Sequence, residues 1–364
     1  MSPADSIVVG WDIGGAHVKA CITRGGEVVD VAQWACPLWL GLDQLDLALQ
    51  QAQAQWPELS GMVSHAVTMS GEMVDAFTHR EDGVQRIADR LTRTFRGKVL
   101  LYAGGLGWVA PTDAARCWAQ IASANWLATA QHAAAVFGDG MLIDIGSTTA
   151  DLIMFADGRV STSSRSDHDR LASGELAYHG VVRTPLCALA QRIAFRGRLV
   201  NVMNEWFATT ADVYRMTAEL DPAHDQQPSA DGQGKDRAAT QQRLARMIGL
   251  DARDAPDDEW LEFARTWRRV QIDQIAVSAA AVMAAKPAVA STATIVAAGC
   301  GALLVADLAA RLPALAGWPI RSYGFDAARI AATDDGAADA RKAAWAQVCA
   351  PSVAVASLYP REQR

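Results

Sequence analysis

The clearest pattern along the chain is a short apolar run that leads into a glycine-containing turn, and it occurs twice. Residues 7–11 are rich in β-branched side chains and enter a D-I-G-G sequence that begins at Asp12; a second apolar run follows at 18–23. Residues 141–143 enter a D-I-G-S sequence that begins at Asp144. Apolar runs interrupted by glycine turns predict a strand, a tight loop and a second strand in each copy.

The spacing within the two copies also matches. The first Asp and the glycine of the following turn are 13 residues apart in one copy (Asp12 to Gly25) and 14 apart in the other (Asp144 to Gly158). Two such hairpins predict a duplicated α/β domain, with antiparallel strands near each loop and helices that cover the sheets.

The remaining periodicity predicts further elements between and after these hairpins. Leucines at helical spacing predict a helix over 42–56, and a strand over 65–69 ends before Ser70-Gly71-Glu72. A long helical stretch over 111–137 is expected to break near Asn125. Other segments have the same kinds of pattern: helices over 83–95, 238–248, 258–282 and 338–350, and strands over 99–103 and 294–297.

The length of 364 residues exceeds what one hydrophobic core usually serves, so two domains are predicted. We expect a first domain over 1–113, with a C-terminal helix over 338–358 packing back on it, and a second domain over 114–337 with an insertion at about 190–275. Within that insertion, residues 221–236 are polar and lack periodicity, which is typical of a mobile surface loop or of a lid.

Composition excludes several classes of function. The net charge of −7 argues against a nucleic-acid partner, because neutralising phosphates requires a basic face. Residues 1–6 lack the basic and apolar regions of a signal peptide, and no segment reaches the roughly 20 apolar residues of a membrane span. The six cysteines are scattered without metal-ligand spacing, so we expect reduced thiols in a cytoplasmic protein.

The two glycine loops are candidate phosphate sites. Glycines let successive backbone N–H groups approach an anion closely, and hydroxyl side chains add donors. The candidate phosphate-binding residues are Gly14, Gly15, Gly146, Ser147, Thr148 and Thr149. Asp12 and Asp144, at the predicted strand ends, are the candidate ligands of Mg²⁺.

Two further segments add candidate functional groups. Gly299, Cys300 and Gly301 lie between a predicted strand and the helix-like stretch 302–311, where a ligand such as ATP is able to meet a helix N-terminus. The segment 173–185 contains Glu175 and Arg183. With Glu72 and Lys19, these residues complete the predicted catalytic set: Asp12, Lys19, Glu72, Asp144, Glu175 and Arg183.

The motifs DIGG, DIGSTTADL and AGCG resemble the phosphate and adenosine motifs of the actin/sugar-kinase superfamily. The resemblance implies two RNase H-like domains with mixed sheets and an interdomain cleft, across which the two phosphate loops would face each other. More closely, GWDIGGAHVKA, SANWLATA and SGELAYHGVVRTP resemble the hydantoinase/oxoprolinase-related group of tetrahydromethanopterin-linked one-carbon transfer pathway proteins. The resembling segments extend from residue 10 to about residue 308.

Archaeal relatives of that group are methanofuran-biosynthesis synthases. The resemblance therefore implies that an aminomethylfuran methyl diphosphate is condensed with the phenol of tyramine or γ-glutamyltyramine, with release of diphosphate. The implied partners are these small molecules, and a homodimer is one possible assembly. His17 departs from the pattern, because a small polar residue such as Asn is expected at that position of the first loop.

Two other functional classes use the same loops. An ATP-dependent kinase of a small alcohol or acid predicts nucleotide binding at residues 299–301. A non-catalytic regulator with an actin-like nucleotide switch predicts nucleotide binding with negligible turnover. Ring hydrolysis would need a metal-ligand cluster that the sequence does not display.

Overall fold

The structure is a computed structural model that describes residues 6–285 and 293–360. The start of the predicted first domain and the segment after the long helix 258–282 therefore lie partly outside the described residues. Contacts divide the described chain into two compact units. The first unit comprises 6–140, 155–169 and 321–360, and the second comprises 141–154, 170–285 and 293–320. The predicted boundary at residue 113 stays a prediction.

The strands are short, and most of them are buried apolar segments. In chain order they are β1 (Ile7–Ile13), β2 (His17–Arg24), β3 (Glu27–Ala35), β4 (Ser64–Met69), β5 (Val99–Tyr102), β6 (Trp108–Val109), β7 (Gly140–Ile145), β8 (Ala150–Ala156), β9 (Arg159–Val160), β10 (Leu176–Ala177), β11 (Arg192–Phe195), β12 (Arg198–Asn201), β13 (Thr294–Ala298) and β14 (Ile320–Ser322).

The α-helices cover these strands or form the insertion in the second unit. They are α1 (Asp43–Gln55), α2 (Arg80–Thr94), α3 (Trp118–Ile121), α4 (Asn125–Phe137), α5 (Asp167–Ser173), α6 (Leu186–Leu189), α7 (Thr210–Met216), α8 (Arg237–Arg246), α9 (Asp257–Ala284), α10 (Val305–Ala310), α11 (Gly336–Val348) and α12 (Ala350–Leu358).

The sheet of the first unit is mixed, in the order β3-β2-β1-β4-β5-β6. β1 is antiparallel to β2 and parallel to β4, so the predicted antiparallel hairpin is confirmed and β1 lies inside the sheet. All residues of β1 after Ile7 are buried, because a central strand is covered on both faces.

The second sheet repeats this scheme. Its order is β10-β8-β7-β13-β14, with β9 also paired to β8, so the strand that carries the second D-I-G sequence is again internal. A separate antiparallel hairpin, β11–β12, belongs to the insertion.

Each unit has its own hydrophobic core. In the first, α1 contributes Leu45 and Leu49 and α2 contributes Val84, Ile87 and Leu91, at the spacing that places side chains on one helical face. In the second, the core extends from β7 and β8 to α9, whose Trp260 and Trp267 are fully buried.

The C-terminal helices belong to the first unit. α12 packs against β1, β2 and β4, and a Cβ on Gly10 of β1 would lie 2.0 Å from the carbonyl oxygen of Ser352. The close contact between strand and helix therefore depends on the absence of a side chain at residue 10.

Two predicted helices are shorter than expected. Residues 111–117 form a 3-10 turn and an irregular turn instead of helix, whereas the predicted break near Asn125 is confirmed: α3 and α4 are separated at Ser123, which has a φ of 50°. The stretch predicted over 302–311 begins as a 3-10 turn, and its α-helix starts only at Val305. Among the described residues, no helix is both long and apolar enough to cross a membrane.

Candidate functional site

The first D-I-G loop is a tight backbone turn at the end of β1. The Gly14 amide donates to the carbonyl of His17 at 3.0 Å, and a Cβ on Gly14 would lie 2.9 Å from that same oxygen. A Cβ on Gly15 would lie 2.9 Å from Val74. Asp12 is buried and pairs with Lys19 in the β1–β2 register, so both side chains emerge on the same face of the sheet.

Lys19 and His17 occupy β2 beside this loop. Lys19 Nζ donates to the carbonyl of Val348, the last residue of α11, at 2.9 Å. A cation at a helix C-terminus is stabilising, so Lys19 has a structural contact, and its catalytic role stays a prediction. His17 is buried where the resemblance led us to expect a small polar residue.

The segment that follows β4 lies directly against the first loop. The Ser70 amide donates to the carbonyl of Ile13 at 3.0 Å. A Cβ on Gly71 would lie 3.1 Å from the carbonyl oxygens of both Ile13 and Gly14. Glu72 is the next residue, so the chain delivers a carboxylate to the neighbourhood of the loop.

Glu72 is buried in a small polar cluster within the first unit. Its Oε1 accepts from Ser123 Oγ at 2.7 Å and from Arg80 Nη2 at 3.2 Å. Its buried Oε2 has no hydrogen-bond partner among the described residues. Arg80 Nη2 also lies 3.5 Å from Asp167 Oδ2. One carboxylate oxygen is thus held by two donors, while the other is buried without a hydrogen-bond partner among the described residues.

Burial raises the pKa of Glu72, and the hydrogen bonds from Ser123 and Arg80 and the positive charge of Arg80 oppose that rise. A carboxylate with a raised pKa is a better proton acceptor near neutral pH than an ordinary one. Sequence reasoning missed Ser123 and Asp167, because they lie 43 and 87 residues from Arg80 along the chain, and it also missed Arg80, which lies 8 residues from Glu72.

The second D-I-G loop, in the second unit, has the same backbone scheme. The Gly146 amide donates to the carbonyl of Thr149 at 2.8 Å, as Gly14 does to His17 in the first loop. Asp144 is buried at the end of β7. The predicted phosphate residues Ser147 and Thr148 lie in this turn.

The segment 180–183 closes against the second loop. The amides of Val181 and Arg183 donate to the carbonyls of Gly146 and Ser147 at 3.0 and 2.8 Å. A Cβ on Gly180 would lie 2.3 Å from the Thr148 nitrogen, so only glycine fits there. The structure therefore brings together two segments that the sequence analysis treated separately.

Arg183 places a cation beside the loop. Its Nη1 lies 3.5 Å from Thr148 Oγ1, and burial lowers the pKa of its guanidinium. His179 is part of the same segment; burial lowers its pKa, and its Nδ1 has no hydrogen-bond partner among the described residues. A guanidinium next to backbone N–H and hydroxyl donors is suited to bind phosphate oxygens.

The third glycine cluster lies at the base of the second loop. Gly299 has a φ of 80°, and a Cβ there would lie 2.2 Å from the Ile145 carbonyl oxygen and 2.5 Å from Asp144 Oδ1. The Gly301 amide donates to the Ile145 carbonyl at 2.7 Å. Cys300 between them is half-buried. The predicted adenosine motif and Asp144 are therefore neighbours within one unit.

Glu175 is also buried in the second unit. Its main-chain carbonyl accepts from Arg170 Nη2 at 3.1 Å and from the Leu152 amide at 2.9 Å. Arg170 in turn pairs with Asp151 of β8. These contacts connect Glu175 to the strand that follows the second loop.

The polar segment 221–236 is held by ion pairs. Arg215 bonds both carboxylate oxygens of Asp225, at 2.6 and 2.8 Å, and Lys235 lies 3.2 Å from the same group. Arg243, fully buried, bonds Asp231 at 3.1 Å. The charged groups of this segment thus have partners within the second unit.

Each D-I-G strand ends in a carboxylate of the ligand type that Mg²⁺ prefers. Asp12 in the first unit and Asp144 in the second lie at the ends of strands that lead into glycine loops. Among the described residues, no group of three or more His, Cys, Asp or Glu side chains is placed to hold a metal ion. Phosphate oxygens and water would therefore supply most of the coordination.

Comparison with known proteins gives one family. The hydantoinase/oxoprolinase family model matches residues 64–315. A curated relative from Methanocaldococcus jannaschii is 30% identical over 259 residues, which is 71% of this chain and 76% of the relative. It is named (4-{4-[2-(gamma-L-glutamylamino)ethyl]phenoxymethyl}furan-2-yl)methanamine synthase. The synthase of the same name from Methanococcus vannielii is 32% identical over 37% of this chain and 60% of its own length.

Solved structures bear on the fold. Nucleotide-free acetone carboxylase aligns over 86% of this chain and 68% of that chain, with 11% identity and a TM-score of 0.52. Together with the two mixed sheets, this confirms the predicted α/β fold with mixed sheets, which this chain shares with that protein. From its sequence, the chain belongs to the hydantoinase/oxoprolinase family.

Proposed function

We propose that this protein is a transferase that joins an aminomethylfuran methyl diphosphate to the phenol of tyramine or γ-glutamyltyramine and releases diphosphate. The observation that carries the proposal is the identity of 30% to a synthase whose name describes a phenoxymethyl-furan amine, an ether between a phenol and a furylmethyl carbon. The cytoplasm as the place of action and a homodimer as the assembly are further parts of the proposal.

The second unit supplies the features expected of a diphosphate site. Its loop presents Ser147 and Thr148 hydroxyl groups beside Arg183, and Gly180 and Gly299 let the backbone pack closely under the loop. In the reaction, negative charge grows on the departing diphosphate oxygen as the furylmethyl C–O bond breaks. A fixed guanidinium and fixed N–H groups stabilise that charge without reorganising.

Glu72 is the base that we favour for the phenol proton, ahead of Glu175. Its Oε2 has no hydrogen-bond partner among the described residues, while Ser123 and Arg80 hold Oε1. As the phenol oxygen bonds to the furylmethyl carbon, its proton passes to Glu72 and the electron pair of the broken C–O bond leaves with diphosphate. The neutral acid is favoured by burial.

Asp144 in the second unit and Asp12 in the first are each proposed as a ligand of Mg²⁺ beside their own loop, and Lys19 on β2 is the proposed cation beside the first loop. When bound, Mg²⁺ would offset the charge of the diphosphate. Asp144 is the better supported of the two proposed ligands, because its carboxylate packs against Gly299 so closely that a Cβ on Gly299 would lie 2.5 Å from its Oδ1.

The test is product formation by the purified protein. The furan diphosphate is incubated with γ-glutamyltyramine or with tyramine and Mg²⁺, and ether product and diphosphate are measured by mass spectrometry. We expect equal amounts of both products, loss of turnover in Asp144→Asn and normal turnover in Asp258→Asn, a control at an exposed position of α9. Absence of the ether product with the wild-type protein would refute the proposal.

A binding measurement separates the kinase and regulator alternatives. Thermal stabilisation is compared for ATP, ADP and diphosphate with Mg²⁺, because a ligand that binds only the native state raises its stability. The condensation predicts a shift with diphosphate and none with ATP. A strong ATP shift, with phosphorylated product or with no turnover, would favour the kinase or the regulator instead.

A further inference from the structure

The main-chain groups of Gly180 are held by three side chains from different parts of the second unit. The Gly180 amide donates to Thr184 Oγ1 at 2.8 Å. The Gly180 carbonyl accepts from Thr210 Oγ1 of α7 at 2.8 Å and from Gln271 Nε2 of α9 at 2.9 Å. Thr210 and Gln271 are fully buried, so these hydrogen bonds are shielded from solvent. We call the side chains of Thr184, Thr210 and Gln271 the Gly180 clamp.

The amide group of Gln271 is oriented by the groups on both of its sides. A main-chain carbonyl only accepts hydrogen bonds, so the nitrogen of Gln271 faces Gly180 and its oxygen faces the opposite way. On that side the Tyr214 hydroxyl donates to Gln271 Oε1 at 2.8 Å. Burial raises the pKa of Tyr214, which keeps its hydroxyl protonated and able to donate. The amide therefore has one orientation, in which its donor is directed at Gly180.

Gln271 lies on the apolar, buried face of α9. Trp267 and Ile275, one turn before and one turn after it, are fully buried in the core of the second unit. An apolar side chain would fill this position without the cost of removing an amide from water. The hydrogen bonds to Gly180 and Tyr214 offset that cost, so packing alone does not account for a glutamine here.

The backbone of Gly180 passes this constraint to the second D-I-G loop. A Cβ on Gly180 would lie 2.3 Å from the Thr148 nitrogen, so the two backbones are in direct contact. The amides of Val182 and Arg183 both donate to the Ser147 carbonyl, at 3.1 and 2.8 Å. A shift of Gly180 would therefore disturb both the loop and the point from which the Arg183 guanidinium extends.

We propose that Gln271 and Thr210 are positioning residues for the diphosphate group of the substrate. By fixing the Gly180 carbonyl, they hold the second loop and Arg183 in the arrangement that binds diphosphate. Donors that are fixed in advance spend no binding energy on being ordered by the ligand. The inference rests on the proposed function and deepens it, because it gives two buried side chains of α7 and α9 a part in binding the leaving group.

The test measures calorimetric binding of diphosphate with Mg²⁺, together with the KM values of the furan diphosphate and of the phenolic acceptor. Gln271→Met keeps a long unbranched side chain but removes the donor to Gly180. We expect it to raise the Kd of diphosphate and the KM of the furan diphosphate by about 3- to 10-fold, the usual effect of losing one hydrogen bond, and the KM of the acceptor by less than about twofold. Thr210→Val removes the other donor, from a different helix, and should have the same selective effect.

Two further variants separate positioning from lost stability. Ile275→Val is the matched control, because it destabilises the same buried face of α9 without removing a hydrogen bond to Gly180. Its diphosphate affinity should equal that of the wild type. Gln271→Glu is the conservative variant. Burial keeps its carboxyl group protonated at about pH 6, so it donates to Gly180 and should bind diphosphate within about twofold of the wild type.

Failure of this inference is distinguishable from failure of the proposed function. An unchanged diphosphate Kd in Gln271→Met, or an equal rise in Gln271→Met and Ile275→Val, would overturn the inference while ether formation by the wild type leaves the condensation standing. Binding by Gln271→Glu as weak as that by Gln271→Met would also overturn it, as would absence of diphosphate binding by the wild type. Selective loss of diphosphate affinity in Gln271→Met, without any ether product from the wild type, would support the Gly180 clamp and refute the condensation.

Discussion

Gly299→Ala is the substitution whose effect the geometry defines best. Gly299 has a φ of 80°, in the left-handed region, where a side chain costs about 1–2 kcal/mol. The added Cβ would also lie 2.2 Å from the Ile145 carbonyl oxygen and 2.5 Å from Asp144 Oδ1. The first of these is a backbone atom that no rotamer change can move. Such overpacking typically costs a further ~1–3 kcal/mol.

Gly317→Ala is the matched control. Gly317 belongs to the same unit and has a φ of 85°, but a Cβ there would meet nothing within 4 Å. It therefore incurs only the conformational cost of about 1–2 kcal/mol. The difference between the two variants isolates the collision with the second loop, which we expect to be about 1–3 kcal/mol.

Urea unfolding followed by tryptophan fluorescence measures this difference, and Trp260 and Trp267, both fully buried in the second unit, contribute to the signal. Gly299→Ala should also lose diphosphate-dependent stabilisation, because the collision displaces the Asp144 carboxylate, whereas Gly317→Ala should keep it. Equal unfolding midpoints and equal diphosphate shifts in the two variants would refute the view that residues 299–301 support the second loop.

Three further predictions follow from single contacts. Ser123→Ala removes a hydrogen bond that lowers the pKa of the buried Glu72, so the acidic limb of the kcat–pH profile should move to higher pH; a limb that stays in place would exclude Glu72 as the base. Asp225→Asn breaks a nearly buried pair with Arg215 and should cost about 3–5 kcal/mol in urea unfolding at neutral pH. Burial raises the pKa of Asp225, but Arg215 and Lys235 lower it by more, so the net pKa lies below that of an ordinary Asp. The extra stability of the wild type over the variant should therefore be complete above about pH 4 and disappear as the pH falls through the lowered pKa. A difference in unfolding free energy that persists in acid would contradict this. Gly10→Ala should loosen α12 and expose the C-terminal region to protease, since the new Cβ would lie 2.0 Å from a carbonyl oxygen of that helix; unchanged protease resistance would oppose the prediction.

The sequence predicted those strands and helices that are determined by nearby residues. The strands that carry the two D-I-G sequences, and the helices α1, α8 and α9, lie within a few residues of their predicted bounds. In each case the apolar spacing and the adjacent glycine or polar turn predict the same element with the same ends. The helical stretch predicted over 111–137 breaks near Asn125 as expected, at Ser123, which has a positive φ, but it begins later than expected because residues 111–117 form turns.

The candidate site was predictable only in part, because its contacts are long-range. Glycine loops can be recognised from a short stretch of sequence. The partners of Glu72 come instead from α2 and from the chain before α4, and no local pattern connects them with Glu72. The segment 221–236 shows what composition leaves out. Its polar composition predicts a mobile loop or a lid, which stays a prediction, and the structure adds that Asp225 and Asp231 are paired with arginines of α7 and α8. Composition reports charge, and it does not report whether that charge is already compensated.

The two units share one backbone hydrogen-bond scheme but place different residues beside their loops. In each unit, the segment after a strand next to the D-I-G strand donates an amide to the isoleucine carbonyl of that motif: Ser70 to Ile13, and Gly301 to Ile145. The first unit continues into Glu72, a buried carboxylate whose Oε2 has no hydrogen-bond partner among the described residues, whereas the second has Gly299 and Gly301 packed against its loop. The same hydrogen-bond scheme thus leads to a buried carboxylate beside one loop and to close backbone packing beneath the other, because the residues that follow the shared amide differ between the two units.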